Sequence, residues 1–149
     1  MKKSIYILFL PLLTVMLYSC DKFIDGGSRK KAEANLTNVW IIDGYFYNDE
    51  EKTDQLLISS FEETFADNGV YTRIYKDVNG DEVSQLGNWT IDTENDVVKI
   101  SGGGAMDLTT NITSVSTSSY TIFKLTRSKF WYQFESNGDT HEFWMMPKE

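Results

Sequence analysis

Two side chains are each the sole representative of their type in this chain, Cys20 and His141. A thiol nucleophile needs a base beside it, and structural zinc needs a set of Cys and His ligands. One cysteine far from one histidine supplies neither. His141 lies on an alternating aromatic segment, where its expected neighbour across a hairpin is Phe134, so it reads as a packed or rim histidine. Asp77-Val78-Asn79-Gly80-Asp81-Glu82 has the oxygen density of a calcium loop, but it lacks the full spacing and terminal bidentate Glu of an EF-hand. It reads as an acidic turn. Glu50-Glu51 and Glu62-Glu63 are consecutive carboxylates, which a strand points to opposite faces. They read as solvated charge and not as a glycosidase pair. Gly102-Gly103-Gly104 lacks the lysine and following helix of a phosphate loop and reads as a hinge. No catalytic residue, metal or cofactor is assigned, and the expectation is a protein that is not an enzyme.

The formal charge is −8, with 14 basic and 22 acidic residues. That balance offers no basic footprint for nucleic acid and would repel anionic lipid head groups. The aromatics are numerous, with 9 Phe, 8 Tyr and 4 Trp, while Pro is confined to Pro11 and Pro147. Aromatic and β-branched residues in short segments favour strands.

Strands and turns account for residues 36–149. A first strand, 39–47, carries Trp40 and a bulge at Gly44. Asp67-Asn68-Gly69 and Asn79-Gly80 mark hairpin turns, because Asn and Gly tolerate positive φ. Between them Tyr71, Arg73 and Tyr75 share one face. Segments 83–91 and 97–101 follow. Residues 102–119, rich in Gly, Ser and Thr, read as a long loop near a barrel mouth. Asn137-Gly138 pairs Ser136 with Asp139, and counting outward pairs Phe134 with His141, Tyr132 with Phe143 and Trp131 with Trp144. One face of this last hairpin holds Phe130, Tyr132, Phe134, His141 and Phe143, apolar enough for an inner wall. About eight strands at short spacing, with no convincing helix, imply an all-β antiparallel meander, either a barrel or a strongly coiled sheet. Residues 20–35, with Gly26-Gly27-Ser28 and a charged run, read as a flexible tether, disordered or a frayed helix.

Ahead of the tether, Lys2-Lys3 precedes an apolar run, residues 5–18, too short to span a bilayer and suited to an export signal. Leu17-Tyr18-Ser19-Cys20 resembles a bacterial lipoprotein signal. The resemblance implies cleavage after residue 19, a diacylglycerol thioether on Cys20 and an acylated new N-terminus. The alternatives are an ordinary secretory signal with an incidental cysteine, or an uncleaved anchor. A lone thiol in an exported protein otherwise lacks a disulfide partner. Cleavage would remove Lys2 and Lys3 and no acid, taking the charge from −8 to −10.

Four stretches together resemble the lipocalin-like domains of bacterial lipoproteins. They are the Trp-bearing first strand, Phe65-Ala66-Asp67-Asn68-Gly69, Gly87-Asn88-Trp89 with the aliphatic strand after it, and the segment 120–126 running into the aromatic final hairpin. The mid-chain position of Gly-x-Trp departs from lipocalins proper. The inner aromatic face and the barrel-like strand count point to a small apolar or amphipathic ligand held against Trp40, Phe130, Tyr132, Phe134 and Phe143. The alternative is an accessory subunit or glycan-contacting lipoprotein of an outer-membrane complex, docking through Trp131, Trp144, Tyr71 and Tyr75. Residues 21–25 also resemble the start of outer-membrane glycan-capture lipoproteins. Asp21 would instead suggest inner-membrane retention in enteric bacteria. The outer membrane is the favoured location.

Overall fold

The computed structural model describes residues 28–102 and 118–149. Readings that fall on the leader, on Cys20 and on residues 103–117 lie outside these.

The described chain is a short helix, α1 (Arg29–Leu36), followed by nine strands. They are β1 (Asn38–Tyr47), β2 (Glu50–Glu51), β3 (Ser59–Phe65), β4 (Val70–Lys76), β5 (Glu82–Asp92), β6 (Val97–Ser101), β7 (Ser118–Leu125), β8 (Phe130–Ser136) and β9 (Asp139–Pro147). Every pairing is antiparallel between neighbours, and β1 also pairs with β9. That last pairing closes eight strands into a barrel and leaves β2 as an extra pair of residues on β1. Closure removes the free edges that an open sheet would expose.

The alternation of side chains makes the wall. Along β5, Gln85, Gly87, Trp89 and Ile91 are buried while Ser84, Leu86, Asn88 and Thr90 face out. The β8–β9 hairpin has the expected register, with Phe134 opposite His141 and Trp131 opposite Trp144. Asn137 and Gly138 both take positive φ, 54° and 89°, as a two-residue turn matched to strand twist demands. Gly69, at φ +82°, closes the 66–69 turn by donating to the Ala66 carbonyl at 3.0 Å. The bulge expected at Gly44 is a register shift between Ile42 and Gly44 against β9.

The tether reading needs correction at its C-terminal part. Residues 29–36 form α1 and belong to the folded unit. Ser28 caps the helix, its hydroxyl accepting from the Lys31 N–H at 3.3 Å. Arg29 pairs with Glu33 one turn on at 2.8 Å. Ala32, Asn35 and Leu36 are buried, and Trp40 Nε1 donates to the Leu36 carbonyl at 2.8 Å. The helix therefore plugs the end of the barrel where β1 starts. Trp40, Phe65 and Phe130 form the layer above it, with ring centroids 5.5–5.6 Å apart. The strand reversals 66–69, 93–96 and 126–129 share this closed end. The 48–58 and 77–81 connections and the Asn137-Gly138 turn lie at the opposite end.

Candidate functional site

Between the two ends the barrel is crossed by a buried polar network. Glu63 is fully buried and Arg73 is 1% exposed. Inward-facing Phe61, Glu63 and Phe65 on β3 meet inward-facing Tyr71, Arg73 and Tyr75 on β4, so each charged residue stands between two aromatics on its strand. Arg73 Nη2 lies 2.8 Å from Glu63 Oε1, and Arg73 Nε donates to the same oxygen at 3.1 Å. Tyr71 donates to Oε1 and Tyr132 donates to Oε2 at 2.9 Å. The guanidinium also donates to Tyr120 Oη at 2.8 Å and to Gln85 Oε1 at 3.1 Å. Five strands, β3, β4, β5, β7 and β8, thus meet in one network around a carboxylate–guanidinium pair. Burial pushes the Tyr71 and Tyr132 hydroxyls well above their ordinary pKa, with the nearby carboxylate acting in the same direction. The surrounding hydroxyls and carboxylate hold Arg73 charged against the effect of its burial.

Above this floor an aromatic collar rings the end opposite α1. Phe61, Tyr45 and His141 are nearly buried, and Tyr47, Tyr75 and Phe134 are half-buried. Phe134 stacks on His141 with centroids 5.0 Å apart and planes 8° apart. Tyr45 Oη lies 2.9 Å from His141 Nδ1, and its pKa is pushed up to about 12, chiefly by burial. Asn48, with its backbone at φ 48°, ties the collar together. Its side chain donates to Asp139 and accepts from the Thr140 N–H, both at 2.9 Å. The bonds from Asn48 and Tyr47 hold the Asp139 carboxyl below the usual range.

The residues singled out from sequence divide by depth. Trp40 and Phe130 are fully buried at the closed end, beneath the polar floor and against α1. That placement makes them core residues and not ligand contacts. Tyr132 and Phe143 belong to the middle layer, stacked at 5.4 Å. Only Phe134 reaches the collar. Tyr71, expected on an outer docking face, is fully buried and bonded to Glu63. Tyr75 also points inward, 6.3 Å from Phe61. Trp131 and Trp144 do stack on the outer wall, 4.3 Å apart and 10° from parallel. Lys129 Nζ lies 5.1 Å from the Trp131 ring and Phe46 4.7 Å from that of Trp144, and both indoles stay half-exposed. Glu63, read as solvated charge, is the most deeply committed carboxylate among the described residues. The signal for it was a lone charge inside an apolar alternation, Phe61-x-Glu63-x-Phe65 facing Tyr71-x-Arg73-x-Tyr75.

Two other places offer less. Asp77 spends its carboxylate on its own turn, accepting from the N–H groups of Asn79 and Asp81 at 2.8 and 2.9 Å. A groove of about 330 Å³ between α1 and the 67–69 and 89–90 segments is lined by Arg29, already paired with Glu33, and by Trp89, whose Nε1 donates to the Ala66 carbonyl.

No protein-family model and no curated protein matches the chain. Solved structures are similar to it, among them two from Bacteroides. A lipocalin-like protein from Bacteroides uniformis aligns with a TM-score of 0.54 at 15% identity, over 76% of this chain and 99% of that one. An uncharacterized protein from Bacteroides eggerthii aligns with a TM-score of 0.52 at 14% identity, over 76% and 99%. At such identities the likeness speaks for fold, and the fold is lipocalin-like: a closed eight-stranded antiparallel barrel with one extra strand.

Proposed function

We propose that this chain is a lipid-anchored, non-enzymatic binding protein of the bacterial envelope whose barrel mouth takes a small amphipathic ligand. The observation that carries the reading is the aromatic collar of Tyr45, Tyr47, Phe61, Tyr75 and Phe134 at the end opposite α1. An eight-stranded barrel is filled by its own side chains or holds one small ligand. Here the side chains fill the closed end and the middle, so the ligand sits shallowly at the collar, with Phe134 the retained member of the original set.

Anchoring through Cys20 rests on the lipoprotein-like signal. Several acyl chains on one terminus give stable attachment where one does not. From Cys20 to Ser28 the chain spans at most about 28 Å when extended, and α1 then enters the closed end. On this reading the anchor joins the barrel at the end where β1 starts. The docking or glycan-stacking alternative retains the half-exposed Trp131–Trp144 stack but loses Tyr71 and Tyr75, which point inward.

Native mass spectrometry of the detergent-free protein tests the ligand reading. A non-covalent adduct of a few hundred daltons is expected. Bare polypeptide, together with no uptake of the neutral dye Nile red, would sink it.

A further inference from the structure

We propose that the outer wall of β8 and β9, at the end of the barrel where α1 packs, rests against an anionic membrane surface. Trp131 and Trp144 sit at the level of the lipid head groups, with Lys124, Arg127 and Lys129 among the phosphates. The inference takes the anchor of the proposed function as given and adds which wall of the barrel the bilayer meets.

Two features of this wall coincide. Trp131 and Trp144 face outward and stack on each other, yet both stay half-exposed, and Met146, one outward position further along β9, is 40% exposed. Cations border the indoles. Lys124 pairs with Trp131 across β7 and β8, Lys129 Nζ lies 5.1 Å from the Trp131 ring, and Arg127 is exposed on the reversal between those strands. An indole is apolar with one polar edge, so it settles where hydrocarbon meets water. Lysine and arginine lay their stems along apolar surface and keep the charge in water, where lipid phosphates lie. Two carboxylates of the same wall are engaged: Glu142 accepts from Trp144 Nε1, and Glu62 pairs with Lys148.

The fold separates this wall from the acid that dominates the composition. At the opposite end the 48–58 connection carries Asp49, Glu50, Glu51 and Asp54 against Lys52, and Glu135 and Asp139 flank the last hairpin turn. Asp67 and Glu94 lie on the β3–β4 and β5–β6 reversals, on the side of the barrel away from β8 and β9. The nine residues of β9 extend about 30 Å. Attraction to a charged surface fades within about 10 Å in salt, so charges at the far end count little for a contact made at the near one. The total of −8 therefore does not decide what this wall meets. An anchor at Cys20 holds the same end within about 28 Å of the bilayer, which brings the wall to its partner.

Tryptophan emission reads the contact, because the other two tryptophans, Trp40 and Trp89, are buried and residues 1–19 hold none. The full chain is floated with phosphatidylcholine vesicles, with or without about 30% phosphatidylglycerol, each carrying a lipid with a nitroxide on its head group. Quenching should be at least about twofold greater on the anionic vesicles, and Trp131→Phe/Trp144→Phe should abolish the excess. Lys124→Gln/Lys129→Gln, which changes only exposed side chains, should abolish it too. A membrane-impermeant acylating reagent should modify Lys124 and Lys129 at least about threefold more slowly on anionic than on neutral vesicles, and about 0.5 M salt should restore their rates. Lys52 and Lys76, at the opposite end, should react alike on both. Equal quenching and equal lysine rates on the two vesicles overturn the inference and leave the anchor standing. Failure to float with neutral vesicles overturns the anchor; binding to anionic ones with Lys124 and Lys129 protected still supports the wall, and no binding overturns it. Protection of those lysines without vesicles, growing with protein concentration, assigns the wall to a second copy of the chain and overturns the lipid.

Discussion

Glu63 and Arg73 show how one residue pair can hold a barrel together while contributing little net energy. Desolvating two charges offsets much of their attraction, but deleting one partner leaves the other buried and uncompensated. Glu63→Leu should therefore lower the unfolding free energy by about 3–5 kcal/mol in urea denaturation. The double variant Glu63→Leu/Arg73→Met should recover part of that loss. A double variant less stable than the single would show that the network's value lies in its hydrogen bonds and not in its charges. At the outer wall, Trp144→Ala removes a half-exposed stacked partner and should cost less, about 0.5–1.5 kcal/mol beyond its area.

At the scale of elements, hairpins were legible and the helix was not. Asn137-Gly138 dictates a register locally, because a two-residue turn with two positive φ angles leaves one way to pair the flanking residues. Helix α1 has only Ala32 and Leu36 to show an apolar face, spaced i and i+4 in a polar eight-residue stretch. Its stability comes from packing on Trp40, and packing is not written in local periodicity. Leu36→Ala should destabilise the whole barrel by about 2–5 kcal/mol. Red-shifted tryptophan emission should accompany it as the closed end loosens around Trp40. Unchanged emission and stability would show that α1 rests on the barrel without plugging it.

Two expectations belong to the whole molecule. Tyr45, Tyr71 and Tyr132 have pKa values raised by folding. Their contribution to stability is complete below the unfolded pKa near 10 and is lost as pH rises through the folded values. Phenolate absorbance at 295 nm should therefore show a group of tyrosines silent at pH 11 in native protein and ionised at that pH in denaturant. Simultaneous titration of all tyrosines near pH 10 would contradict the buried network. For location, Cys20→Ser should move the protein from the membrane fraction to the soluble envelope fraction. Retention in the membrane would argue for an uncleaved anchor.

Alternation with a period of two, aromatic strand composition and Asn-Gly turns are properties of short stretches of chain. They suffice for an antiparallel meander, for the register of its last hairpin and for which face of each strand is apolar. Whether an apolar face lines a ligand site or a filled core depends on depth along the barrel axis, which is set by closure of β1 on β9 and by the helix beneath. That is why Trp40 and Phe130 became core, why Tyr71 turned inward, and why Glu63 and Arg73, ten residues apart on neighbouring strands, became partners. The same local alternation serves both outcomes, and only the closed three-dimensional arrangement distinguishes them.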